Sequence, residues 1–442
     1  MHFKTFTLLL SASAVFAAPL EVDVDSDVDS DVDAATVSAG ADLPEDHKLA
    51  SRFSVPVVPN PEFGRDGFHE LRKAYLKYKR HFSDLVIPPG LLNYTKPSRL
   101  QERGTRTGTV VANPVTYDTM YLSPITIGGQ KMNMDFDTGS SDLWVFSNQL
   151  SSTLQAKHKN LGGNIYTPST SAKVASGLTW SITYADSSGA SGTVVTDSVK
   201  IGGITVAKQA VEVANTVTSG FEDFEGDGLL GLAFSSLNQV SPTQQKTWIE
   251  NAMPQLKAKL FAADLRKSAV GSYTWGFISQ KYAKKIKYAK ILNSGWWHVA
   301  ASKGIKVNGK LYTSGASNSK GAVPDTGSTL LLMPTSVVKL YYAQVSGASY
   351  RSDMGAWVYP CTSDSSSSMP TISLPVGNNW INVPGKYMTY AYANSAGTMC
   401  FGGLQSLGDS STLPWIYGDI FFKGVYSVFD YGNKRFGVAQ KS

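Results

Sequence analysis

Cysteine and histidine are both scarce, with two and six copies in 442 residues. Thiol-ligated zinc sites, iron–sulfur clusters and disulfide-dense frameworks all need more cysteine than that, so neither a metal nor a cofactor is expected. Charge is also sparse, at 17%, while 42% of residues are hydrophobic, which excludes a mostly disordered chain and gives enough length for two or three cored domains. No apolar stretch reaches the ~18 residues that crossing a membrane by a helix requires. Long runs of Ala, Glu, Lys and Leu are missing, which argues against coiled coils and helical repeats. What is abundant is glycine, 40 copies, and proline, 20, among many Ser and Thr, the punctuation of many short strands. The fold class expected is all-β, with only short helices.

The amino terminus reads as targeting and processing sequence. Met1 to Ala17 has a positive start at Lys4, an apolar stretch and small residues suited to cleavage, so residues 1–17 are expected to be a signal peptide. From Glu21 to Asp33 acids alternate with Val or Ser, a self-repelling run without the glycine and closing Glu of a calcium loop. Residues 47–106 reverse the sign, with twelve Lys and Arg against five Asp and Glu. They include a helix-like basic stretch through Lys73 and Lys77, the only N-x-S/T sequon at Asn93, and Arg103 and Arg106 as candidate processing sites. Residues 18–106 are therefore expected to be a removable prosegment. In an oxidising compartment Cys361 and Cys400 have one intramolecular pairing open to them.

One short motif occurs twice. Asp137-Thr138-Gly139-Ser140 follows the strand-like alternation Met132, Met134, Phe136 and runs into Leu143-Trp144-Val145. Asp325-Thr326-Gly327-Ser328 runs into Leu330-Leu331-Leu332, 325 − 137 = 188 residues later, as expected for one copy in each of two similar lobes. A single Asp-Thr-Gly is a common turn; two copies, each ending a strand, carry chemistry. Two carboxylates at hydrogen-bond range cannot both ionise freely, so they share a proton. The ionised member can then take a proton from a water as it attacks a carbonyl, while the protonated member donates to the carbonyl oxygen. Glycine permits close backbone approach, the Thr hydroxyls can bind main chain across the lobe interface, and Ser140 and Ser328 can donate to the outer carboxylate oxygens.

With these motifs the chain resembles the pepsin-like aspartic endopeptidases, in pattern the secreted fungal members, over 107–442. Trp144 matches the tryptophan after the first aspartate, and Trp180 to Gly192 resembles the flap hairpin. Asp227-Gly-Leu-Leu-Gly231 and Trp415-Ile-Tyr-Gly418 resemble the apolar-apolar-Gly segments behind each aspartate. The resemblance implies a bilobal fold, 107–290 and 291–442, around a substrate cleft; catalysis by Asp137 and Asp325; and a disulfide between Cys361 and Cys400. It implies that Tyr184 on the flap bonds Trp144 and covers the scissile bond, that Phe221 and Leu229 line an apolar pocket, and that Asp186 and Ser188 let that pocket accept Lys beside large hydrophobic residues. It further implies a monomeric, extracellular enzyme, or alternatively a vacuolar one, that acts on proteins at acid pH. Its own prosegment would be the inhibitor, with Lys73 or Lys77 as latch to the dyad.

Two residues depart from the pattern. Pro324 precedes the second aspartate, removing an amide donor and restricting Val323, so strand geometry near Asp325 is expected to change. Ala185 replaces the flap glycine. Other chemistries lack support: Gly226-Asp-Gly228-Leu-Leu-Gly231 has the spacing of a dinucleotide turn without its strand–helix context, and no G-x-S-x-G or H-E-x-x-H occurs. A late basic cluster, Lys281, Lys284, Lys285, Lys287 and Lys290, has no accompanying nucleic-acid motif. The alternative function is a catalytically silent binding or inhibitor-like protein on the same fold.

Overall fold

The computed structural model describes residues 53–59, 66–82, 84–92, 121–183, 189–218, 221–222, 224, 226–292, 295–314, 316, 318–361, 369–394, 396–409 and 413–441, all within one unit, His47–Ser442. The signal peptide, the acidic run, Asn93, Arg103, Arg106 and the flap residues Tyr184, Ala185, Asp186 and Ser188 lie outside the described residues.

The chain is mostly strands with a few short helices, and its motif-bearing segments repeat one arrangement. Strand Gln130–Asp137 pairs in parallel with Gly228–Gly231, which pairs antiparallel with Leu143–Val145, which pairs in parallel with Ile204–Val217. In the other half Asn318–Pro324 pairs in parallel with Trp415–Tyr417, that strand antiparallel with Leu331–Met333, and that one in parallel with Leu404–Ser406. Both faces of these inner strands are covered, which is why Leu143-Trp144-Val145 and Leu331-Leu332-Met333 are apolar at every position and buried throughout. The apolar-apolar-Gly segments close this arrangement. A Cβ at Gly231 would collide with the Ser141–Asp142 backbone, and one at Gly418 with the carbonyls of Ser328 and Leu330. Only glycine lets these strands pass behind the motif loops.

The two halves meet in a common sheet. Leu260–Arg266 pairs with Val425–Asp430 on one side and Ala269–Trp275 on the other, so residues before position 290 are knitted to the last strands of the chain. Strand Phe53–Pro59 joins the same sheet, pairing antiparallel with Ala269–Trp275 and with Tyr121–Ile127.

Helix α1, Gly67–Lys79, begins where Asp66 accepts a hydrogen bond from the His69 amide at 3.0 Å. Leu71, Ala74, Tyr75 and Tyr78, spaced i, i+3, i+4, i+7, form its buried stripe. That stripe faces both halves. Tyr75 donates to the Ser406 carbonyl at 2.9 Å, Glu70 accepts from the Thr329 hydroxyl at 2.9 Å, and Lys73 lies 5.9 Å from the Phe224 ring centre. Beyond the helix, His81 and Phe82 pack on Trp296.

Strand Asn318–Pro324 is irregular at Gly321, whose φ is 77° and where its register with Val299–Ala301 shifts, but Ala322, Val323 and Pro324 keep parallel register with Trp415, Ile416 and Tyr417, so the proline does not break the pairing next to Asp325, which corrects the expectation of altered geometry there. The reason is parity. Asp325 N–H donates to the Tyr417 carbonyl at 3.0 Å, so the Pro324 nitrogen faces the opposite edge. There the neighbouring strand pairs Val299 with Ala322 and has already ended, and no ladder bond is lost.

Candidate active site

Asp137 ends its strand and Asp325 directly follows the matching one, so the two motif loops face each other across the lobe boundary. Their local geometry is nearly the same twice over. Gly139 N–H donates to Asp137 Oδ1 at 2.8 Å and Gly327 N–H to Asp325 Oδ1 at 3.1 Å. The Ser140 hydroxyl donates to Asp137 Oδ2 at 2.6 Å and the Ser328 hydroxyl to Asp325 Oδ2 at 2.5 Å. A side chain at either glycine would strike the opposite carboxylate: a Cβ on Gly139 meets Asp325, and one on Gly327 meets Asp137.

The threonines tie the halves together. Thr138 N–H donates to Thr326 Oγ1 at 3.1 Å and Thr326 N–H to Thr138 Oγ1 at 3.0 Å. Each hydroxyl passes its own proton to the other half's main chain, Thr138 to the Pro324 carbonyl at 3.0 Å and Thr326 to the Phe136 carbonyl at 2.6 Å. All four groups are buried, so each bond satisfies an atom that water does not reach.

Between the carboxylates sits the Lys77 ammonium. Nζ donates to Asp137 Oδ1 at 2.9 Å and to Asp325 Oδ1 and Oδ2 at 3.0 and 2.8 Å. The next residue, Tyr78, donates its hydroxyl to Asp325 Oδ2 at 2.5 Å. Of the two candidate lysines the dyad contacts Lys77; Lys73, one turn earlier, points to Phe224 and the charges of Glu70 and Asp135 instead.

The electrostatics are set by burial against this cation. Burial alone would raise Asp137, but the Lys77 charge, together with hydrogen bonds that include Lys77 and Ser140, holds it below the ordinary carboxylate range. Asp325 is pushed up by burial and by the charge of Asp137, which Lys77 only partly offsets. One acid is thus easier and the other harder to ionise than in water, the split expected of a carboxyl pair. Lys77 is itself buried, yet the two carboxylates raise its affinity for its proton.

Trp144, Phe221 and Leu229 come together in the first half of the chain. Trp144 meets Phe221 edge-on with ring centres 5.3 Å apart, and Leu229 stands opposite Trp144 in the strand register. Phe224, absent from the sequence reading, completes the aromatic wall 6.0 Å from Trp144. Cys361 and Cys400 form the disulfide.

Three further acids escape sequence reasoning. Burial lifts Asp135 to about 7; it stands two residues before Asp137 on one strand, and that period-two spacing was a usable signal for a second inward-facing acid. Behind the first loop Asn238 Nδ2 donates to Asp142 Oδ1 and to Glu212 Oε1, both at 2.9 Å, which brings the two carboxyls together. Burial lifts Asp142 to about 6 and Glu212 well above its usual value. Residues 142, 212 and 238 are too far apart in sequence to have been grouped.

The family model described as eukaryotic aspartyl protease matches residues 120–441. Penicillopepsin-3 of Penicillium janthinellum is 39% identical over 393 residues, 87% of this chain and 95% of the relative. Aspergillopepsin-1 of Aspergillus pseudoglaucus is 41% identical over 368 residues, 83% and 90%. Endothiapepsin of Cryphonectria parasitica is 41% identical over 389 residues, 86% and 88%.

Proposed function

Since the chain belongs to the eukaryotic aspartyl protease family and is an aspartic-type endopeptidase, we propose that it hydrolyses internal peptide bonds of proteins at acid pH through Asp137 and Asp325, and that it is made as a precursor silenced by its own residues 18–106. One observation carries this reading: a carboxylate from each half lies within 3.0 Å of the same Lys77 nitrogen. Groups that can both grasp one ammonium can both grasp one water when the helix is withdrawn. An ionised member accepts the water's proton as oxygen attacks the amide carbon, and its protonated partner donates to the carbonyl oxygen. Gly139 and Gly327 amides and the Ser140 and Ser328 hydroxyls hold the carboxylates still while the charge moves.

In the precursor the ammonium takes the place of that water, and Tyr78 caps the outer oxygen of Asp325. The precursor starts with a signal peptide of residues 1–17 ahead of the silencing segment, and the mature enzyme is a secreted monomer with lobes 107–290 and 291–442. The aromatic wall of Trp144, Phe221 and Phe224 supports a preference for large hydrophobic residues, and Asp186 and Ser188 of the flap add tolerance for Lys. With membership of a protease family established, no observation favours the silent binding protein.

The test is digestion of denatured haemoglobin at pH 3–4 by the acid-matured wild type and Asp325→Asn. Loss of a dyad member should lower the rate by a thousandfold or more without changing the fold by circular dichroism; a variant that digests as fast as wild type refutes the assignment.

A further inference from the structure

One buried tyrosine that reaches the threonine exchange is left unused by the catalytic reading. The carbonyl of Phe136, in the peptide group that leads into Asp137, accepts two hydroxyl protons, one from Thr326 at 2.6 Å and one from Tyr273 at 3.3 Å. The first donor belongs to the opposite motif. The second belongs to strand Ala269–Trp275 of the sheet in which the halves meet. In the second half the matching Pro324 carbonyl accepts from the Thr138 hydroxyl at 3.0 Å, and no tyrosine hydroxyl is bonded to it among the described residues. The threonine exchange is thus symmetric, and its attachment to the sheet is not.

Tyr273 is buried and fixed on several sides. Its ring centre lies 5.0 Å from that of Phe136 and 6.4 Å from that of Phe261, and Phe261 stacks at 4.6 Å on Phe429 of the last strands. In the ladder it stands opposite Ala263 on one side and Val55 of the prosegment strand on the other. Departure of the prosegment takes Val55 away and leaves the other contacts, so the phenol keeps its place in the matured enzyme. Burial, with the charges of Asp419, Asp135 and Asp137 adding to it, pushes the phenol well above its ordinary value, so the hydroxyl remains a donor throughout the acid and neutral range.

We propose that Tyr273 is a positioning residue for the first catalytic aspartate: through the Phe136 carbonyl it fixes the peptide group that carries Asp137 to the sheet shared by both halves. Thr326 by itself ties one motif loop to the other, since its hydroxyl also accepts the Thr138 amide proton. A peptide group held by a single bond can rock about it, and rocking turns the Asp137 carboxylate away from its partner. A second donor from another direction removes that freedom. Two carboxylates act together on one water only while their mutual geometry is held, and displacement by about 1 Å can cost as much as a hundredfold in rate. The inference rests on Asp137 and Asp325 being the catalytic pair.

Tyr273→Phe keeps the ring and loses only the hydroxyl. The acid-matured variant is assayed on a short peptide between pH 2.5 and 6.5, beside wild type, Tyr341→Phe and Asp325→Asn. In Tyr273→Phe kcat should fall about tenfold with KM changed by less than about twofold, because the loss is of orientation rather than of binding. Carboxylates held less firmly interact more weakly, so the acid limb of the kcat/KM profile should move up and the alkaline limb down, narrowing it by roughly half a pH unit. Tyr341→Phe gives up an equally buried hydroxyl bond, to the Pro370 carbonyl at 2.8 Å in the second half, and should lower Tm to a similar extent with kcat and profile unchanged. An unchanged kcat in Tyr273→Phe, a loss confined to KM, a profile of unchanged width, or an equal fall in kcat in Tyr341→Phe overturns the proposal. Asp325→Asn separates this result from its premise: activity there removes the catalytic pair itself, whereas full activity in Tyr273→Phe beside an inactive Asp325→Asn removes only the part given to the tyrosine.

Discussion

Replacing Lys77 by Met isolates the latch, and its effect follows from proton counting. In the latched precursor the ammonium balances one of the two carboxylate charges; once the helix leaves, a shared proton does so instead. Opening therefore takes up one proton, and each unit of falling pH should favour it tenfold, about 1.4 kcal/mol. Asp137, whose carboxyl lies below its ordinary range while Lys77 is in place, gives the latch stability at higher pH that is lost as pH falls, and Asp325, which burial and the Asp137 charge push up, works against it. Without the ammonium, open and closed forms carry the same shared proton, and this slope should vanish. Truncating one partner of a buried ion cluster also costs about 3–5 kcal/mol near neutrality, on the order of 10² to 10³ in the open fraction. The open fraction is read from the apparent Kd of a statine-type inhibitor for the intact precursor, since that value scales inversely with the population able to bind. At pH 6.5 the K77M precursor should bind the inhibitor at least a hundredfold more tightly than wild type, with little pH dependence down to pH 4. A variant that excludes the inhibitor as well as the parent does, with the same slope, refutes the reasoning.

Two predictions concern stability. Thr326→Val leaves the buried Thr138 amide unpaired and the Phe136 carbonyl with only the longer bond from the Tyr273 hydroxyl, which should cost about 1–3 kcal/mol and lower Tm by several degrees, with a fall in kcat; an unchanged melting curve would show that the threonine exchange holds nothing. Asp142 and Glu212 both have folded pKa values above those of free acids, so the native chain holds protons that the unfolded chain gives up, and stability should decline as pH rises from about 4 through 6 and beyond. Glu212→Gln removes one of these titrations and should narrow the drop in Tm between pH 4 and pH 7. An equal drop in both proteins would place the pH sensitivity elsewhere.

The duplicated Asp-Thr-Gly-Ser runs were legible because everything the dyad needs is local: strand, turn, glycine and hydroxyl fall within a few residues of each acid. Trp144 and the cysteine pair were legible for the same family pattern. The choice between Lys73 and Lys77 was not, because residues four apart lie on one helix face and only the depth of insertion separates them. Tyr78 went unnoticed for that reason too. Pro324 suggested disruption because the missing amide was visible in the sequence, whereas the edge it faces depends on the parity of a pairing with Tyr417, residues distant in the chain. Asp142, Glu212 and Asn238 belong to a loop, a strand and a turn that only the folded lobe brings together.

Strand Phe53–Pro59 gives the inhibitory segment a second hold on the enzyme. It is stitched by main-chain hydrogen bonds to Ala269–Trp275 and Tyr121–Ile127, without touching the carboxylates that the helix holds. Severing the polypeptide between the helix and the first lobe is thus a different event from vacating the cleft: a nicked molecule would keep its inhibitor as a tightly seated, non-covalent subunit until acid loosened the helix and the ribbon peeled away. A sample returned to neutral pH before that departure would fall silent again, although every covalent bond required for maturation had already been cut.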